Sequence, residues 1–185
     1  MPGSVQVVRY SPEWPQAFDR IAGNLRRHPL LAQVPIEHVG STSVAGLAAK
    51  PVIDIDVVAR DSKHSTELIT ALGEMGYRHR GDLGITGREA FDSADQPELA
   101  RHNLYLCIAG GLPLRNHMLL RDILRIDAEL CRHYGELKQT LARRYPADID
   151  RYCEAKSEFI LGVLKRCGMG PAELQQIHDE NVLQS

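Results

Sequence analysis

A chain of 185 residues is long enough to bury one substantial core and too short for two full domains. Its 43% hydrophobic and 25% charged residues exclude the disordered and fibrous classes. Twenty-two Lys and Arg against 24 Asp and Glu leave a formal charge of −2, which argues against a general phosphate-backbone binder; a nucleotide held in a local basic cleft stays compatible with it.

The opening residues, MPGSVQVVRYSPEW, show no basic segment followed by an apolar one, and nowhere do about 18 apolar residues run together, so a cytoplasmic protein without a membrane partner is expected. Ser11-Pro12 reads as a helix start, and Trp14, Phe18, Ile21 and Leu25 recur at helical spacing until His28-Pro29. Residues 36–39 form a short strand. Residues 40–50, GSTSVAGLAAK, are a small-residue connection with room for a helical turn. Pro51 opens the clearest strand, VIDIDVVA. Because strand side chains alternate, Ile53, Ile55 and Val57 share one face and Val52, Asp54, Asp56 and Val58 the other.

A helix over 62–75 stopped by Gly76 follows, then a strand near 77–80. Residues 81–101 are polar and read as a flap with a short strand near 88–91. The strand over 102–108 puts Asn103, Tyr105 and Cys107 on one face. From Pro113 the pattern predicts helices over 114–126, 128–144 and 149–166, the last capped by Asp148 and stopped by Gly168, and then a short, fraying helix containing Leu174 and Ile177. This order predicts an α+β fold, a mixed sheet flanked by helices with a C-terminal helical bundle. The implied division is a core over 1–112, a helical subdomain over 113–168 packed on it, and a tail over 169–185. The four cysteines, Cys107, Cys131, Cys153 and Cys167, lie far apart with no C-x-x-C pair, so free thiols are expected rather than a zinc knuckle.

Two features carry chemistry. The Gly40-Ser41 turn can offer backbone amides and a hydroxyl to a phosphate, although many such turns only redirect the chain. Asp54 and Asp56 lie about 7 Å apart along one strand face, close enough to share a divalent cation; the alternative is a solvated edge with Lys50 or Arg60 as partners. The two together, a Gly-Ser turn, a short connection and a strand alternating apolar residues with two aspartates, are the signature of the polymerase-beta-like nucleotidyltransferase superfamily. More narrowly, EHVGSTSVAGLAAKPVIDIDV closely resembles the motif of the GrpB-like family assigned to that superfamily. VRYSPEWPQAF, ARHNLYL, LRNHMLLRDILR and YCEAKSEFI fall where that family has similar blocks, so the resemblance covers most of residues 5–165.

The resemblance implies that Gly40, Ser41 and Ser43 hold the phosphates of a nucleoside triphosphate and that Asp54 and Asp56 bind Mg2+ or Mn2+. This chain departs from the family in having Ala45 where Pro is usual. It also lacks the third carboxylate common in active superfamily members: the corresponding strand reads HNLYL, keeping His102 but carrying Asn103 and Tyr105 where the family places further histidines. His102 is the candidate general base and His38 the second, each against the alternative of a structural histidine. Arg121 and Arg125 sit i, i+4 on one helix face and, with Lys156, match the family pattern of cleft-lining cations; Arg115 reads as a surface residue and Arg88 as a weaker candidate. Tyr105 and Cys107 shape an acceptor pocket or belong to the core. The expected function is a Mg2+-dependent nucleotidyltransferase-like protein acting on a small-molecule acceptor. The alternatives are a catalytically silent nucleotide or small-ligand binder of the same fold, and a folding-accessory or protein-interaction role that only the family's historical naming suggests.

Overall fold

Five strands, β1 (Ile36–Val39), β2 (Ile53–Ala59), β3 (Arg78–His79), β4 (Arg88–Asp92) and β5 (His102–Ile108), make one sheet in the spatial order β1-β2-β5-β4-β3. All pairings are antiparallel except β2 with β5, which run parallel. The structure is a computed structural model that describes residues 5–93 and 96–182, without the side chains of 181 and 182. In this α+β arrangement β2 is an inner strand, hydrogen-bonded on both edges. Its two aspartates therefore cannot lie on a solvated edge.

The alternation of β2 decides which layers cover the sheet. Ile53, Ile55 and Val57 are buried against α1 (Glu13–Leu25) and α2 (Ser62–Glu74) through Trp14, Ile21, Leu25, Leu68 and Leu72. The Ser11 hydroxyl accepts the Glu13 amide at the start of α1, and the Asp61 carboxylate accepts the His64 amide at the start of α2. Gly76, with φ 89°, turns the chain out of α2 as expected. Part of the segment expected as a flap belongs to the sheet: β4 lies between β3 and β5, with Arg88, Ala90 and Phe91 buried. Residues 94 and 95 of that segment lie outside the described residues.

On the opposite face, cross-strand register brings Glu37 and Val39 of β1, Asn103, Tyr105 and Cys107 of β5, and Arg88 and Ala90 of β4 beside Asp54 and Asp56. That face is roofed by α3 (Leu112–Ile126), α4 (Ala128–Arg144) and α5 (Ile149–Arg166), which meet in a second core of Val44, Leu47, Leu124, Leu130, Tyr134 and Val163. α3 begins two residues earlier than its periodicity predicts because Pro113, lacking an amide hydrogen, fits the first turn without loss. The short, fraying helix expected at the end is a 12-residue helix, α6 (Pro171–Val182). Its Leu174 and Ile177 suffice because Leu164, Met169 and Leu112 supply the rest of a joint cluster. The four cysteines are free, and no described helix is long and apolar enough to cross a membrane.

Candidate functional site

The turn after β1 is built directly on an aspartate. Gly40 has φ 66°, a left-handed conformation that disfavours any side chain, and a Cβ placed on it would lie 2.2 Å from Asp54 Oδ2. The backbone thus rests against the carboxylate as only glycine allows. Ser41 to Ser43 continue as a single 3₁₀ turn. The Ser43 hydroxyl donates back to the Gly40 carbonyl at 2.6 Å, so it closes the turn and is spent there instead of facing a phosphate. Ser41 faces the cleft beside Asp54.

The two acids have different surroundings. Asp54 Oδ1 accepts the Asn103 side-chain amide at 2.7 Å. Burial pushes the Asp54 carboxyl above its usual range, while the Asn103 bond and the Lys156 and His117 charges pull against that shift. Asp56 is wholly buried: its Oδ2 lies 2.8 Å from His117 Nδ1, and its Oδ1 has no hydrogen-bond partner. Burial works against a charge on His117, but the adjacent Asp56 carboxylate overrides it and raises the imidazole above its ordinary value. His117 descends from α3 and was not among the expected site residues, although LRNHMLLRDILR contains it. Its signal in the sequence is only its place one and a half turns into that helix.

Two adjoining cavities open between the sheet and its roof. One, of about 140 Å³, is bounded by Gly40, Ser41, Asp54, His117, Arg121 and Lys156, among others. The second, of about 240 Å³, has Lys50, Lys138, Lys156, Asn103, Tyr105 and Tyr152 in its walls and shares Ser41, Asp54 and Lys156 with the first. Lys156 thus lies where expected. Lys138 was missed: in sequence it looks like one more solvated position of α4, yet α5 covers it to 2% exposure and leaves its ammonium without a hydrogen-bond partner. Burial, and then the charge of Lys156, lowers the Lys138 pKa to about 7. The signal that could have found it is a repeated Tyr-x-x-x-Lys, Tyr134 with Lys138 and Tyr152 with Lys156, each lysine standing over its tyrosine ring at 4.6 and 5.2 Å.

Four other expected residues have their polar groups committed elsewhere. His102 pairs with Ile53 and shares its face, away from the acids, where Nε2 meets the Tyr77 hydroxyl at 3.0 Å and Nδ1 the Ala100 carbonyl at 2.7 Å. It cannot serve as a base at Asp54 and Asp56. His38 shares that far face, stacked on Phe18 at 4.7 Å, with Nε2 3.0 Å from the Thr42 hydroxyl, so it braces the turn from below. Arg121 bonds Glu37, Asp122 and the His38 carbonyl, and Arg125 makes two bonds to the Ser43 carbonyl at 3.1 and 2.9 Å. Arg125 fastens α3 to the turn and Arg121 fastens it to β1; each has two of its guanidinium nitrogens bonded, and Arg121 also lines the smaller cavity. Arg115 pairs with Glu173 at the surface, and Arg88 stacks over Tyr105 at 4.5 Å on the acid face.

Residues 4–166 match the family described as GrpB protein. The chain belongs to the GrpB family. The UPF0157 protein YqkA of Bacillus subtilis is 30% identical over 156 residues, covering 84% of this chain and 45% of YqkA, so this GrpB chain spans less than half the length of that relative. The crystal structure of the conserved GrpB protein from Enterococcus faecalis aligns with a TM-score of 0.75 and 29% identity over 93% of this chain and 99% of that one. Cid1 poly(U) polymerase, crystallised with MgGTP bound, aligns with a TM-score of 0.50 and 18% identity over 74% of this chain and 45% of that one, a likeness of fold alone. The GrpB fold seen here is accordingly nucleotidyltransferase-like.

Two measurements probe the turn. Gly40→Ala carries both the strain of a left-handed alanine and a collision with Asp54, whereas Gly46→Ala, at φ 81° with open space around its Cβ, carries the strain alone. Chemical denaturation is expected to show a cost of about 1–2 kcal/mol for Gly46→Ala and clearly more for Gly40→Ala. His38 is held to a pKa of about 4 by burial and by Arg125 and Arg121, against 6.5 when unfolded. Between those values the unfolded chain binds the extra proton, so stability falls as pH drops from about 6.5 toward 4. His38→Gln is expected to lessen that fall by about 2–3 kcal/mol, read from urea midpoints across the window.

Proposed function

We propose that this GrpB-family protein binds a nucleoside triphosphate with Mg2+ in the cleft between the Gly40-Ser41 turn and the α4–α5 lysines, and transfers a nucleotidyl group to a small-molecule acceptor. The observation that carries this reading is the placing of half-buried Asp54, with buried Asp56 beside it on the same strand face, in one cavity wall with a buried ammonium, Lys138, that has no hydrogen-bond partner among the described residues. Lys138 at 2% exposure is costly to keep unless an anion joins it. Asp56 Oδ1, equally buried and unpartnered, is costly unless a cation joins it. A polyphosphate with its cation answers both needs.

The donor set fits one hard ion: Asp54 and Asp56 share a face, and Mg2+ is held through one or two carboxylates plus phosphate oxygens. Bound there, Mg2+ would offset charge on the transferred phosphoryl group. The protein's own part is positioning. Gly40 and Ser41 bring backbone close to the phosphates, and Lys50, Lys138 and Lys156 stabilise the charge that develops on the departing pyrophosphate. In this reading an acceptor hydroxyl forms a bond to the α-phosphorus, the bond to pyrophosphate breaks, and the hydroxyl proton passes to solvent water. His117 holds the Asp56 carboxylate through its Nδ1, 2.8 Å from Oδ2, and so positions that acid.

A second reading, a catalytically silent nucleotide binder, has one observation in its favour. The β5 residues paired with Asp54 and Asp56 are Asn103 and Tyr105, so the neighbouring strand brings no third carboxylate for a second ion. The exposed large apolar side chains, Val8, Leu30, Leu83, Ile126 and Ile149, come singly from separate segments and offer no support for a protein-docking role.

Calorimetry with Mg2+ and a panel of nucleoside triphosphates is expected to show binding that vanishes in the double variant Asp54→Asn, Asp56→Asn; unchanged affinity there rejects the site. Release of pyrophosphate on adding acceptor candidates separates the transferase from the silent binder. Lys138, with its pKa near 7, is mostly neutral at pH 8 and gains a proton when phosphates approach. Binding at pH 8 is therefore expected to take up roughly one proton, read from calorimetry in buffers of different ionisation enthalpy, and Lys138→Met is expected to abolish the uptake.

A further inference from the structure

We propose that Asp56, Cys107 and His117 form a transition-metal centre of mixed oxygen, sulfur and nitrogen donors that takes Zn2+ or a similar divalent ion. One ligand atom from each residue lies within 4.8 Å of the other two. The three come from separate, rigidly held elements. Asp56 is on β2, Cys107 is on the adjacent parallel strand β5 opposite Val58, and His117 is on α3, which roofs them. Donors mounted on sheet and helix keep their geometry better than donors on loops.

A second, independent observation points to a cation. Asp56 is 0% exposed, its Oδ2 is engaged by His117, and its Oδ1 forms no hydrogen bond of ordinary geometry, the Cys107 thiol being the other donor near the carboxylate. A carboxylate oxygen stranded in an apolar interior is strongly unfavourable, and a metal ion is the partner that the surrounding donors are equipped to hold. Cys107 supplies the discriminating ligand. Its thiol is wholly buried, and burial, followed by the Asp56 charge, pushes it up, so it is no solvent-facing nucleophile. Against a bound metal it would lose its proton and become a thiolate ligand, and the proton on His117 Nδ1 would leave as well; no electron transfer is involved.

The ligand set selects the ion. Mg2+ asks for near-octahedral oxygen ligation, whereas one carboxylate, one imidazole and one thiolate suit the tetrahedral preference of Zn2+, with a fourth position open. Of the three residues only His117 reaches the cleft, where it lines the cavity of Gly40, Ser41, Asp54 and Lys156 with its side chain 25% exposed. The centre shares Asp56 with the Mg2+ reading but does not use Asp54, and it stands whether or not nucleotidyl transfer occurs. Arg88, over the Tyr105 ring, stays outside the ligand set and adds positive charge beside Cys107.

The test is a titration of the metal-free full chain with Co2+ under reducing conditions, followed by optical absorption. One equivalent is expected to produce a near-ultraviolet thiolate-to-cobalt charge-transfer band and the intense visible bands of a tetrahedral ion. One equivalent of Zn2+ should bleach both, and excess Mg2+ should not. Cys107→Ser should abolish the charge-transfer band and weaken Zn2+ binding by about 100-fold or more, and His117→Gln should weaken it similarly. Asp54→Asn should leave the spectrum intact while removing any Mg2+-nucleotide binding, so that the two readings fail separately. Because Cys107 is buried, thermal melts of each variant accompany the spectra, and His117, 25% exposed at the rim of the cavity, gives a second variant outside the strand core. A saturating spectrum without the charge-transfer band, its persistence in Cys107→Ser, or equal displacement by Mg2+ overturns the proposal.

Discussion

The carboxylate of Asp56 is excluded from water on a strand paired along both edges, and a charge in that position persists only where donors or opposite charge are built around it. Much of the surrounding architecture meets that demand. α3 lowers His117 onto Oδ2, β5 offers Asn103 to the neighbouring Asp54, and three lysines converge from the far wall of the cleft. What the protein leaves unmet is as informative: one oxygen of Asp56 and the ammonium of Lys138 have no hydrogen-bond partner among the described residues. Of the two, Lys138 lines the cavity it shares with Asp54, while Asp56 lies behind Asp54 on the same strand face.

The turn above Asp54 shows how a flexible sequence is made rigid. GSTSVAGLAAK contains few groups able to hold a shape alone, yet Thr42 and Ser43 are tied down by side-chain bonds while Ser41 faces the cleft. Ser43 bonds Gly40, Thr42 bonds His38 and the Val52 carbonyl, and Arg125 clamps Ser43 from α3. Arg121 meanwhile binds β1 at Glu37 and at the His38 carbonyl. Of the arginines that look like phosphate ligands in sequence, Arg125 thus holds the turn and Arg121 holds β1 at the edge of the cavity.

The roof of the cleft depends on aromatic faces. Lys138 and Lys156 repel one another, and each stands over a tyrosine one helical turn earlier, with Lys50 5.9 Å from the Tyr152 ring. Ring faces offset part of the desolvation of a buried ammonium without neutralising it. A carboxylate partner would fill the site; a tyrosine leaves the charge available. The same layer explains why the cleft lies between sheet and helices: the sheet contributes acids, the helices contribute bases, and only their junction offers both.

The local pattern of this chain is legible to a high degree. The spans of α4 and α5, the capping of α5 by Asp148 and the face shared by Asp54 and Asp56 all follow from periodicity and from the chemistry of helix ends, which depend on neighbours a few residues away. The Gly40 turn is legible for the same reason, since a left-handed backbone beside a carboxylate tolerates one residue type. Only the tertiary structure decided which imidazole meets the acids. Alternation separates His102 from Asn103 within β5, but which of the two faces Asp54 depends on the register between β2 and β5, set by strands about fifty positions apart. It likewise decided that Arg121 and Arg125 end on Glu37 and Ser43, more than eighty positions away in sequence, and that α5 buries Lys138. Such outcomes are competitions among partners from distant segments, and a helix face read alone contains only one of the competitors.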